Sequence, residues 1–232
     1  MATIHFVDGE KGGVGKSFFA RTIVQYCLDK QYSFVPIETD TSNPGLYNRY
    51  KDICQYAIFS VDEKEHYKAD KVFEIAIDKT VIVDLPAQSH KAVSKWIERN
   101  KLIENSKDYG INLCKWFVCN GEDESVYLFT KSLDYYGLTI QHILVRNWGM
   151  YDDWEDWDED EKLQSLIKKY KVKVIDLPKL PYKERFVIDK NKLSFSAARE
   201  HSEITILGKQ RVVDFLKETY AEIESASDEF VK

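Results

Sequence analysis

"TIHFVDGEKGGVGKSFFARTIVQYCLDK", residues 3–30, runs from an apolar stretch through a glycine-rich turn into a stretch of helical period. The run at 3–8 reads as a buried strand, and from Lys16 onward Phe19, Ile23, Tyr26 and Cys27 recur at the spacing of one helix face. Strand, glycine turn and helix in that order are the setting of a phosphate-binding loop. Gly12, Gly13 and Gly15 let the backbone wrap inward without side-chain clashes, so that consecutive N–H groups and the helix N-terminus point at phosphate oxygens. Lys16 would then reach the β- and γ-phosphates and the Ser17 hydroxyl would ligate Mg2+, with Val14 and Phe18 completing the nucleotide-binding cradle. The pattern G-x-x-x-x-G-K-[ST] is met except at its first glycine, where Glu10 stands.

Outward from this unit, short apolar runs predict strands at 33–38, 57–61, 79–84, 112–119, 139–146 and 172–177. Stretches of helical period lie between and after them, at 16–30, 64–77, 91–105, 122–135, 158–171 and 207–224. Strand and helix in turn predict an α/β fold, a doubly wound, mostly parallel sheet with helices on both faces and its ligands at the carboxyl ends of the strands. One domain spanning 1–232 is expected, since no linker or repeat interrupts the alternation.

Composition narrows the class. The 232 residues carry a net charge of −6, with 44% hydrophobic and 31% charged residues, which argues against wholesale disorder. No apolar run approaches the roughly 20 residues needed to cross a bilayer. The first strand begins too early to leave room for a signal peptide, so a cytoplasmic location is expected. Cys27, Cys54, Cys114 and Cys119 are too widely spaced for a C-x-x-C pair and read as buried free thiols.

"VIVDLPAQ" at 81–88 is an apolar strand ending in an acid and followed by a proline-bearing turn. Asp84 fits a Walker B acid that would hold Mg2+, and residues 85–89 a second switch segment. "KGGVGKS" at 11–17 is the deviant Walker A string, and here the sequence resembles the ParA/MinD family of ATPases. The resemblance implies that Lys11 reaches across a homodimer interface to the phosphates of the partner's ATP, so that two ATPs are sandwiched between two subunits. It also implies that Asp40, in "ETDTSNPG", orients the attacking water, although the same residue reads equally as the start of an Asx turn. The family usually carries aspartate where this chain has Glu38, while members associated with plasmid mobilisation and stability have similar "TDTSNP" stretches. By the same resemblance Asn147, ending "ILVRN", would pair with the adenine edge, and Pro178, in "VIDLPKLPY", would lie in the loop that closes over the base.

The function this implies is a Mg2+-dependent ATPase that dimerises around ATP and serves partitioning, positioning or mobilisation of a plasmid or other cargo. A small-molecule ligase or kinase of the dethiobiotin synthetase type lacks the Lys11 signature. A non-hydrolysing, nucleotide-gated binding module stays open, and an iron–sulfur carrier like the nitrogenase iron protein has little support from the cysteine spacing. Two biased segments bear on partners. "YDDWEDWDEDE" at 151–161 is either a solvated lead into a helix or a docking face for a partner protein with a basic segment, an argument resting partly on Trp154 and Trp157 being unfavourable in water. Residues 162–217 hold 14 Lys/Arg against 6 Asp/Glu, an excess of 14 − 6 = 8, and read either as a solvated face or, by the resemblance, as a surface for non-specific DNA. The tail at 217–232 is acid-rich, so no membrane anchoring is expected.

Overall fold

In a computed structural model of the chain, which describes residues 2–226, the opening apolar run forms β1 (Thr3–Asp8), buried along its whole length. In chain order follow α1 (Lys16–Asp29), β2 (Phe34–Glu38), β3 (Gln55–Tyr56), α2 (Asp70–Ala76), β4 (Thr80–Asp84), α3 (His90–Arg99), α4 (Leu102–Asp108), β5 (Asn112–Cys119), α5 (Asp123–Tyr136), β6 (Gln141–Asn147), α6 (Glu155–Glu159), α7 (Glu161–Lys169), β7 (Lys173–Leu177), α8 (Tyr182–Lys190), α9 (Phe195–Glu200) and α10 (Ile206–Ala226). The seven strands make one sheet in the order β3-β2-β4-β1-β5-β6-β7, and every pairing is parallel.

Alternation along the strands sends side chains to opposite faces. Ile4 and Phe6 of β1 pack with α2, α3 and α4, whereas Val7 packs with α1, α9 and α10. In β5, Cys114, Trp116 and Val118 join the second group, while Phe117 and Cys119 meet α5 and α7. Both faces are therefore covered, which is why these strands read as continuous apolar runs. Each fully buried Ile, Val or Phe adds about 1.5–3 kcal/mol of transfer free energy. β1 lies between β4 and β5, where the chain changes direction across the sheet, and the loops after β1, β2, β4, β6 and β7 all open at the same carboxyl edge.

Several boundaries differ from the sequence expectation. The strand expected at 57–61 is replaced by the two-residue β3, whose ladder with β2 stops where Tyr56 lies opposite Glu38 and Ala57 N–H donates to the Glu38 carbonyl. The helix expected at 91–105 breaks at Lys101, which turns left-handed (φ 47°). The one expected at 158–171 is divided by Asp160, whose carboxylate accepts from the Lys162 and Leu163 N–H groups and caps α7. α8 and α9 were not expected; they are short, polar outside, and held by packing against α10 and α1. Trp154 is not solvent-facing but 2% exposed in the cluster with Phe129 and Leu163, and the Trp157 indole N–H donates to the Gly121 carbonyl. Both indoles are thus engaged within the fold, contrary to the expectation that they stand in water as part of a docking face. All four cysteines are buried, and none is in a disulfide. Among the described residues no helix is long and apolar enough to cross a membrane, and residues 227–232 of the acid-rich tail lie outside the described residues.

Candidate functional site

The loop between β1 and α1 forms the floor of the site. Gly13 (φ +81°) and Gly15 (φ +101°) adopt conformations that side chains resist, and a Cβ on Gly15 would lie 2.3 Å from Asn147 Nδ2. Gly15 is also the N-cap of α1 and supplies no side-chain cap, so the first N–H groups of a 14-residue helix face the loop. Gly12 has open space around it. Lys16 is buried and its Nζ donates to the Lys11 carbonyl at 2.9 Å. Burial pushes that ammonium below the ordinary lysine range despite the acids around it, Asp8, Asp84, Glu10 and Asp40.

Beside the loop, Asp84 ends β4 in register with Val7 of β1 on one side and Glu38 of β2 on the other. It is 2% exposed, and among the described residues neither of its carboxylate oxygens meets a donor in full hydrogen-bond geometry, although the Ser17 hydroxyl lies near enough to stabilise its charge. Burial, then the nearby Glu38 charge, pushes its carboxyl up to about 7, only partly offset by Ser17, Lys16 and Arg21. A buried acid short of donors beside a serine hydroxyl suits a hard divalent cation, which takes oxygen ligands and keeps others for water and phosphate. Among the described residues no group of three or more His, Cys, Asp or Glu forms a metal cage, so the protein ligands would be Asp84 and Ser17 alone.

The segment after β2 closes over this corner. A Cβ on Gly45 would lie 3.4 Å from Ser17 Cβ. Glu38 holds the segment: its Oε1 accepts from Asp40 N–H, and its Oε2 from Leu46 and Tyr47 N–H. Burial, with the Asp40 charge adding, raises the Glu38 carboxyl. Sequence reading treated Glu38 only as a departure from a pattern; an acid at the end of a buried strand, the same signal that marked Asp84, was available for it. Asp40 Oδ1 accepts from Ser42 N–H, Ser42 O–H and Asn43 N–H, the Asx-turn arrangement. Burial opposes its charge, but those bonds and Lys16 hold its carboxyl below the ordinary value.

On the other side of the loop, Asn147 is 4% exposed and both ends of its amide are engaged: Nδ2 donates to the Val14 carbonyl at 2.8 Å and Oδ1 accepts from Gly149 N–H at 3.0 Å. It ties β6 to the phosphate loop. Pro178 follows β7 directly, next to Asn147 through the Asn147–Leu177 register. Arg185 of α8 was missed; its guanidinium stands 5.5 Å from the centre of the Phe18 ring, and Arg21 stacks on the same ring at 5.1 Å. Lys11 leaves the loop sideways and pairs within the chain with Glu122 and Glu124.

Beneath the loop lies a buried ion pair that sequence reading also missed. Asp8 Oδ2 and Lys115 Nζ are 2.6 Å apart, each side chain 1% exposed. Lys115 further donates to Ser132 and sits 4.6 Å from the centre of the Tyr136 ring. Removing either partner would strand the other charge, an effect of about 3–5 kcal/mol.

No family model matches the chain. It is 25% identical to Protein MobD of Acidithiobacillus ferrooxidans over 84% of this chain and 86% of that protein, and 26% identical to a Protein TraL of Escherichia coli over 98% and 99%. Its fold is that of the MinD cell division protein of Aquifex aeolicus, with a TM-score of 0.56 at 12% identity over 96% of this chain and 98% of that one. MinD of Pyrococcus horikoshii, solved with Mg-ADP, gives 0.50 at 15% identity over 94% and 95%. In fold the chain is MinD-like. The seven-stranded sheet places the loop after β1 and the ends of β4, β2, β6 and β7 around one rim, and that rim gathers Lys16, Ser17, Asp84, Asp40, Asn147 and Pro178.

Proposed function

We propose that the chain is a single-domain, Mg2+-dependent ATPase that alternates between free subunits and an ATP-sandwich homodimer, and that this cycle partitions, positions or mobilises a plasmid or similar cargo. The observation that carries the reading is the donor-poor, buried Asp84 carboxylate beside Ser17, at the mouth of a glycine loop that aims a helix N-terminus at the same corner. In support stand the MobD and TraL relatives, and a MinD solved with Mg-ADP and another in complex with MinC.

In this reading Gly12, Gly13, Val14 and Gly15 present backbone N–H groups to the phosphates, Lys16 turns from the Lys11 carbonyl toward them, and Ser17 and Asp84 hold the metal ion. The ion, when bound, neutralises charge on the β- and γ-phosphates. Phe18, Asn147 and Pro178 line the base. Asp40 orients the attacking water with the oxygen not used by its turn, and Lys11 leaves Glu122 and Glu124 for the partner's nucleotide. A cytoplasmic protein, with a basic partner segment or DNA as the cargo link, completes the proposal. The engagement of Asp40 within its own turn favours one second reading, a nucleotide-gated module that holds ATP intact. Turnover without any added metabolite decides against that module.

Calorimetry and light scattering test the main proposal together. Lys16→Ala is expected to abolish Mg-ATP binding, whereas Lys11→Ala keeps the affinity and loses ATP-dependent dimerisation. A Lys11→Ala protein that still dimerises with ATP overturns the assignment of Lys11.

A further inference from the structure

Glu10 stands where the phosphate-loop pattern asks for glycine, and it adopts the left-handed backbone (φ 32°) that glycine would take without strain. Two bonds run from this one residue to the segment that follows β4. Its backbone carbonyl accepts from Gln88 N–H at 2.9 Å, and its carboxylate Oε1 accepts from His90 N–H at 2.6 Å. His90 is the first residue of α3, a helix whose own N-cap residue, Ser89, makes no side-chain capping bond and keeps its hydroxyl buried without a partner. The cap of α3 is thus supplied from 80 positions earlier in the chain, by the loop proposed to hold phosphate.

The other side of Glu10 is equally constrained. Asp8 Oδ1 accepts from Gly9 N–H at 2.6 Å and from Glu10 N–H at 3.3 Å, while its second oxygen is held by Lys115. The strained conformation is therefore fixed from below by a buried ion pair and from the side by the helix it caps. A residue so placed cannot follow a movement of the loop without pulling on residues 88–90, nor the reverse.

We propose that Glu10 is a positioning residue that staples the phosphate loop to the start of α3, so that occupancy of the loop sets the order of the segment 85–93. The second half of this statement rests on the proposed nucleotide-binding reading; the staple itself does not. Glycine at this position would accept the backbone conformation and lack the carboxylate, which separates the staple from the integrity of the loop.

Hydrogen exchange on the full chain tests it, using the parent, Glu10→Gly and Glu10→Gln with and without Mg-ATP. Without nucleotide, amides 89–93 are expected to exchange about two- to thirtyfold faster in Glu10→Gly, the span of a lost N-cap, and close to the parent rate in Glu10→Gln, whose amide oxygen still accepts. With Mg-ATP, exchange over 89–93 is expected to change in the parent and in Glu10→Gln, and to change several-fold less in Glu10→Gly, which keeps only the backbone bond to Gln88, although calorimetry shows that variant still binding. Parent-like protection of 89–93 in nucleotide-free Glu10→Gly overturns the staple. A full nucleotide response in Glu10→Gly overturns the coupling. If the parent itself binds no nucleotide, the proposed function fails and the nucleotide-free comparison still decides the staple.

Discussion

Asp84 shows how one residue can oppose stability while serving a site. Its carboxyl is raised from 3.8 to about 7, by burial first and the Glu38 charge second. The folded chain then holds a proton that the unfolded chain has released, so this group lowers stability progressively as pH rises from about 4 to about 7, and the full penalty remains above that. Asp84→Asn is expected to raise the thermal midpoint of metal-free protein at about pH 8, by the equivalent of roughly 2–4 kcal/mol, and to remove the contribution of this group to the fall in midpoint between about pH 4 and pH 7. The same variant is expected to lose the Mg2+ dependence of nucleotide affinity. A parent-like slope in EDTA would show that Asp84 is not the strained group. Lys16, Ser17 and Asp84 were legible in the sequence because each sits within a contiguous motif. Arg185 and the Asp8–Lys115 pair were not, since their roles depend on neighbours 107 to 167 positions away, 115 − 8 and 185 − 18.

Elements carry a second layer of control. α5 begins with Glu122 as its N-cap, Asp123 and Glu124, acids that favour the positive end of a helix. Two of them also hold Lys11, and their hydrogen bonds raise the Lys11 ammonium above the ordinary lysine range. If Lys11 acts across a dimer, the start of α5 competes with the partner's phosphates for it. Replacing both acids, Glu122→Gln with Glu124→Gln, is expected to shift ATP-dependent dimerisation to several-fold lower protein concentration, read by light scattering, with the nucleotide affinity of the free subunit unchanged. Dimerisation that weakens instead would assign these acids to the interface rather than against it. The same elements show where periodicity loses resolution: the break at Lys101 and the cap at Asp160 are single-residue events inside otherwise helical stretches, and α8 and α9 acquire their helical form from contact with α10 and α1.

For the whole molecule the distribution of charge matters more than its sum. Part of the excess in 162–217 is answered within the fold: Arg199 pairs with Asp29 and Lys179 with Asp152, acids outside the segment, whereas Arg211 with Glu184 and Lys190 with Glu203 use acids of the segment itself. Pairing two subunits doubles the cations that one subunit offers for phosphate contacts. A dimer trapped by Asp40→Ala with ATP is expected to retain duplex DNA on a filter at low salt and to release it steeply as salt rises. Charge reversal at Lys190 and Lys192 is expected to weaken retention without altering dimerisation. Equal retention by nucleotide-free protein would refute the coupling of DNA to the ATP state.

What the sequence determined by itself was the alternation of buried strands with helices, the parallel sheet that alternation demands, and the loop whose glycines, lysine and serine are consecutive. Local sterics and hydrophobic periodicity act over a few residues, and a few residues suffice to read them. Tertiary structure decided what crosses the sheet: that Trp154 is interior, that the Asn147 amide is engaged by Val14 and Gly149, that Lys11 rests on α5, and that Glu10 caps α3. Apart from the local Asn147–Gly149 bond, each of these joins segments distant in the chain. Each partner is chosen by the register of β1, β4, β5 and β6, and that register exists only once the core has formed around it.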